Sequence, residues 1–148
     1  MRSHSMTQGT SLLQAFVNAG LTHDANHFIP GSSGVEPKPW RLWNGMIRVP
    51  YCWEDDVFCL YRERGIAEPD VAETVRRAGL RVFDFHPIHI FLNTESMNRH
   101  EQTRDLHQHP EALIEHRYSG YGTRSMLLDL LALMNREGNP RARPEVTE

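Results

Sequence analysis

The 148 residues contain two cysteines, one lysine, no excess of one charge and no long apolar run. Cys52 and Cys59 lie seven positions apart with no second pair, so neither a disulfide framework nor a four-cysteine zinc site can be built from them. Neither thiol has an adjacent histidine or base, which argues against a thiolate nucleophile. Free thiols fit a reducing compartment. No stretch approaches the roughly 20 apolar residues needed to span a bilayer, and the N-terminus has no charged-then-apolar leader pattern. Together these features place the chain in the cytoplasm. The formal charge of -3 comes from 16 basic and 19 acidic side chains mixed along the chain, with no basic stripe to neutralise a phosphate backbone. Nucleic acid is therefore not an expected partner. All basic residues except Lys38 are arginine, which reflects genome composition more than a need for bidentate anion contacts.

What is present suits one domain. A chain of this length with 39% hydrophobic residues can bury a single core. It is too short for a closed eight-unit β/α barrel of about 250 residues, so any barrel relationship has to be partial. Ser11-Leu12-Leu13-Gln14 reads as a capping box opening a helix with Leu12, Leu13, Phe16 and Val17 on one face and Gly20 as its stop. Thr22 to Pro30 reads as a strand running into a turn, Gly31 to Pro39 as an exposed loop, and Met46-Ile47-Arg48-Val49 as a strand broken by Pro50. Pro69 opens a helix carrying Val71, Ala72, Val75 and Ala78 and stopped by Gly79. Leu80 to Phe85 reads as a buried strand, and Met126, Leu127, Leu130, Leu131 and Met134 mark a last helix ending at Gly138. The alternation predicts an α/β fold with largely parallel strands over 1–138, followed by a polar disordered tail over 139–148.

In parallel folds chemistry collects at the C-terminal ends of strands. That rule sends three clusters to one edge: His4 with Ser5, the segment Arg48 to Asp56, and His86 to His89. The nine histidines form no local ligand pattern, and a lone histidine is more often a hydrogen-bonded surface or core residue. His100, His107, His109 and His116 sit in polar surroundings and read as solvated. Glu54-Asp55-Asp56 suits either the positive start of a helix or a divalent cation or general base. Trp40, Trp43 and Trp53 read as core first and sugar-stacking platforms second.

With those clusters on the page, the motif order resembles that of the polysaccharide deacetylase family (NodB-homology, carbohydrate esterase family 4), and in particular a divergent subgroup from O-antigen and surface-polysaccharide loci. Arg2-Ser3-His4-Ser5 resembles the family's His-Ser/Thr-x-x-His metal motif, with Gln8 where a second histidine would stand. Arg48-Val49-Pro50-Tyr51 resembles its Arg-x-Pro-Tyr motif, and Val82-Phe83-Asp84-Phe85-His86-Pro87 its late leucine-x-histidine motif. The resemblance implies a partial, distorted β/α barrel that hydrolyses an acetyl group on a sugar of a surface polysaccharide with a divalent metal, zinc by preference. It makes His4 a metal ligand. Arg48 orients the catalytic base, the Tyr51 amide holds the oxyanion, and His86 protonates the leaving group. Trp53, Asp55 and His89 are substrate contacts. The family's Thr-Phe-Asp-Asp motif would lie before Met1, so an incomplete metal site and little activity for the chain by itself are expected. The alternative is a carbohydrate-binding remnant without catalysis. A sheet lacking its first units leaves an edge and an apolar face uncovered, from which self-association is expected.

Overall fold

A computed structural model describes residues 1–67 and 70–136, which form two compact units. The first comprises Met1–Cys52 with Arg77–Val82, and the second Trp53–Arg76 with residues 83–136.

The first unit opens with helix α1 (Thr10–Asn18), which buries Leu13 and half-buries Leu12, Phe16 and Val17, the face anticipated from the sequence. The capping box does not form. Gly9 occupies the N-cap, Ser11 lies inside the helix, and the Gln14 side chain donates to Asn18 Oδ1 at 3.1 Å. The stop is as expected: Gly20 adopts φ 78°, donating to the Val17 carbonyl while Leu21 donates to that of Phe16. This is a Schellman ending, for which a left-handed glycine is the least strained residue.

Strands in this unit are only two residues long. β1 (His23–Asp24) runs parallel to β3 (Ile47–Arg48), and β2 (Trp40–Arg41) pairs antiparallel with β3, giving the order β1-β3-β2. A parallel bridge joins Phe28 to Tyr51. Pro30, Pro37, Pro39 and Pro50 interrupt the flanking chain, and each lacks the amide a ladder needs, so the longer strands read from the sequence are cut to fragments.

In the second unit β4 (Trp53–Glu54) runs parallel to β5 (Phe83–Asp84). Helix α2 (Asp55–Glu63) starts on Asp55 and Asp56, the helix-opening role open to that acidic run. Helix α3 (Val71–Val75) is capped by Asp70, whose Oδ1 accepts from the Glu73 amide at 2.7 Å. It ends at Val75, short of Ala78, which with Gly79 lies in a bend. The parts assigned to Pro69, Gly138 and the polar tail fall outside the described residues. Short helices α4 (Pro87–Leu92), α5 (Met97–Gln102) and α6 (Pro110–Leu113) precede the long α7 (Thr123–Arg136). The core joins Trp53, Val71, Val75, Met126 and Leu130, with Phe58, Phe83 and Phe85 against it.

The architecture is mixed α/β with two parallel strand pairings, one antiparallel pairing and no closed barrel among the described residues. No described helix is long and apolar enough to cross a membrane.

Candidate active site

The β1–β3 register sets Asp24 opposite Arg48 in the first unit. Asp24 is fully buried and Arg48 nearly so; Arg48 Nε donates to Asp24 Oδ2 at 2.6 Å and Nη2 meets the same oxygen. Asp24 Oδ1 accepts from the Asn26 amide at 2.9 Å. Arg48 Nη2 is buried with no hydrogen-bond partner besides this ionic contact, so the pair depends on its two charges staying together. The carboxylate that Arg48 orients is thus Asp24, a residue the sequence reading did not single out.

His4 stands in a short exposed turn, His4–Met6, in which Ser5 and Met6 have positive φ. Gln8 turns its amide to the Asn26 carbonyl at 3.2 Å, a structural bond. Tyr51 is buried, stacked on Phe28 with centroids 5.2 Å apart, with the Arg2 guanidinium over its ring and its hydroxyl donating to the Met6 thioether. Its backbone N–H donates to the His27 carbonyl at 3.0 Å. That hydrogen is thus engaged within the first unit.

The second unit brings Asp55, His86 and His89 together. Asp55 opens α2 and is fully buried, while His86 caps the N-terminus of α4. Asp55 Oδ2 accepts from the His86 amide at 2.8 Å and Oδ1 lies 2.6 Å from His86 Nδ1. Both carboxylate oxygens bond His86, with Oδ1 also accepting from the Asp56 amide at 2.9 Å, so the ring is fixed and its Nδ1 carries the proton. The side chain remains 37% exposed, with Nε2 3.9 Å from Asp84 Oδ2. The Asp55 hydrogen bond raises the His86 pKa, against an opposing effect of burial.

His89 is 3% exposed, with Nδ1 3.1 Å from Thr94 Oγ1, and burial lowers its pKa. Its ring stands edge-on to His86 at 5.7 Å and 5.0 Å from His100, which in turn is 4.9 Å from His107. His100 and His107 were expected to be solvated. They are half-buried members of this row, whereas His109 and His116 are exposed as expected. The only local signal was spacing: three residues from His86 to His89, and seven from His100 to His107.

Trp53 is buried in the core of the second unit. It is 4% exposed, with Phe85, Phe58 and Phe83 at centroid distances of 4.8, 5.6 and 6.2 Å, and so acts as a packing floor. Trp40 packs edge-on against His27, and Trp43 is 65% exposed. Three-donor groups able to hold a metal among the described residues are Asp55/His86/His89 and Glu54/Asp56/His86; His4 belongs to neither.

The fold and site together define a mixed α/β protein with a carboxylate-anchored imidazole after a short parallel strand. Residues 1–104 match the family described as WbmS-like polysaccharide deacetylase, and the chain belongs to that family. Its fold is similar to the crystal structure of WbmS from Bordetella bronchiseptica, described as a polysaccharide deacetylase involved in O-antigen biosynthesis, at 44% identity and a TM-score of 0.78. The match covers 89% of this chain and 54% of that one, so the chain spans about half the neighbour's length. No curated protein matches it.

Proposed function

We propose that the protein hydrolyses an acetyl group on a sugar of a surface polysaccharide, with His86 as proton donor. The observation that carries this is the Asp55–His86 pair: a buried carboxylate fixes an imidazole and raises its pKa while the histidine side chain stays partly exposed. A partly exposed imidazole that holds its proton to higher pH than a free one suits a leaving-group acid.

Water adds to the acetyl carbonyl carbon, the bond from that carbon to the sugar nitrogen or oxygen breaks, and the proton of His86 passes to the departing atom; of the two protons of the attacking water one returns to His86 and the other goes to solvent as acetate forms. Asp55 acts through His86, stabilising the imidazolium and holding its tautomer. Arg48 and Asp24 hold the β1–β3 register. No oxyanion role goes to the Tyr51 amide, whose hydrogen is bonded to His27.

The family implies a divalent metal, zinc in this reading. His4 offers one imidazole on an exposed turn, Gln8 is bonded elsewhere, and no three-donor group of described residues includes His4. A centre built on His4 does not fit these residues, and no step is routed through it. The strand pairs are read as part of a distorted β/α barrel, and the two free cysteines as suited to the cytoplasm.

The test is acetate release from acetylated glycans with added zinc or cobalt. His86→Ala should lower it by about 10²- to 10⁴-fold, the range for a lost general acid. Exposed Trp43 supports a second reading, a carbohydrate-binding protein without catalysis. Sugar binding that Trp43→Ala weakens, without acetate release, would favour it.

A further inference from the structure

We infer that the turn between β2 and β3 is a glycan-binding site for an acidic sugar unit, built from Trp43 and Arg41. The turn is fixed by its own hydrogen bonds. Leu42 N–H donates to the Met46 carbonyl at 2.8 Å and Gly45 N–H to the Leu42 carbonyl at 3.0 Å, closing a three-residue hairpin loop over 43–45. Gly45, at φ 87°, supplies the left-handed residue such a loop needs before the strand resumes. Asn44 ties the tip down twice: its Oδ1 accepts from the Met46 amide at 3.3 Å and its Nδ2 donates to the Leu13 carbonyl of α1 at 3.1 Å. The backbone that carries Trp43 is therefore set before any ligand arrives, which removes part of the ordering cost of binding.

On that tip Trp43 is 65% exposed and has no ring partner among the described residues, unlike Trp40 on His27 or Trp53 among its three phenylalanines. Arg41, two positions earlier, is also exposed, and its Nη1 donates to the Gly45 carbonyl at 3.2 Å, so the guanidinium is held across the same turn. No carboxylate pairs with it among the described residues.

An indole face takes the C–H side of a pyranose ring, and a guanidinium takes a carboxylate through charge-assisted hydrogen bonds. One fixed turn thus offers partners for a ring face and an acid together, which is the chemistry of a uronate unit within a polysaccharide. A neutral sugar meets half of it. Within residues 41–45 the only apolar side chains are this indole and half-buried Leu42, too little for a protein interface and enough for one sugar ring. That the polymer bound here is the one deacetylated rests on the proposed function; the binding does not.

The test is fluorine NMR of the full chain labelled with fluorotryptophan, titrated with a hyaluronan hexasaccharide, which alternates glucuronate with N-acetylglucosamine, and with neutral chitohexaose. The three tryptophans give three signals, and Trp43→Phe identifies that of Trp43. The acidic hexasaccharide should shift the Trp43 signal and leave those of Trp40 and Trp53 in place; the Trp53 signal also reports that each variant is folded. By calorimetry Trp43→Ala and Arg41→Gln should each weaken its binding at least about 10-fold, the loss of one such contact. Chitohexaose should bind the wild type at least about 10-fold more weakly than the acidic glycan, and Arg41→Gln should bring the two to similar affinity. No Trp43 shift at millimolar hexasaccharide, a shift confined to Trp40 or Trp53, equal affinity of the wild type for both glycans, or Arg41→Gln without effect would overturn the site. Acetate release is not read, so loss of the deacetylase reading leaves this result standing.

Discussion

At the scale of single residues, two buried carboxylates do different work. Asp55 raises the pKa of His86, so the imidazole holds its proton to higher pH than the ordinary value of about 6.5. A raised folded-state pKa stabilises the fold fully below the unfolded pKa, and that contribution is lost as pH rises through the folded pKa. His86 ring titration by NMR should show the elevation, and Asp55→Asn should bring the value down. An unchanged value would remove Asp55 as the cause. Asp24 instead neutralises Arg48 in the dry interior of the first unit. Arg48→Ala should cost about 3–5 kcal/mol in denaturant unfolding, because Asp24 is left buried without its counter-charge. A cost below about 1 kcal/mol would show that water already reaches the pair.

At the scale of elements, the junction of α4 with α7 depends on one asparagine and one glycine. Asn93, at φ 51°, accepts from the Arg124 and Ser125 amides at 3.0 and 3.2 Å, and so caps α7 from a distant part of the chain. Its amide nitrogen donates to the Tyr118 and Gly120 carbonyls. A Cβ on Gly122 would collide with the Asn93 carbonyl. Gly122→Ala should therefore destabilise by about 1–3 kcal/mol, as overpacking does, and Asn93→Gly, which keeps the left-handed backbone, by about 1–2 kcal/mol. Thermal unfolding of the two variants checks both.

The same scale shows what the sequence could and could not reveal. The face of α1, its Gly20 stop and the α7 pattern were legible, because helical periodicity and a left-handed glycine are local properties. β1, β3 and β5 were legible in place but not in length, whereas β2 and β4 were not read as strands. Helices α4 to α6 escaped notice because segments of four to six residues carry too little periodicity to register. His86 and Asp55 were found by motif. Asp24, Thr94 and the inward turn of His100 and His107 were not, since register and tertiary contact place them, not spacing.

At the scale of the whole molecule, α7 leaves Leu128, Leu131 and Met134 between 45% and 56% exposed, an apolar row along one helix. Self-association through such a row is the expected outcome. Light scattering should find particles larger than a monomer, and Leu128→Glu with Leu131→Glu should shift them toward monomer. A monodisperse wild-type monomer would contradict this.

Membership of the polysaccharide deacetylase family fixes the class of chemistry to test, and the Asp55–His86 pair fixes where. The most direct measurement is acetate release from an acetylated glycan across a pH series, comparing wild type with His86→Ala and Asp55→Asn. The account predicts that His86→Ala lowers release by about 10²- to 10⁴-fold at every pH. It also predicts that Asp55→Asn moves the alkaline limb of the profile to lower pH, because the proton donor then loses its proton sooner. Release that His86→Ala leaves intact, or an alkaline limb that Asp55→Asn does not move, would contradict it.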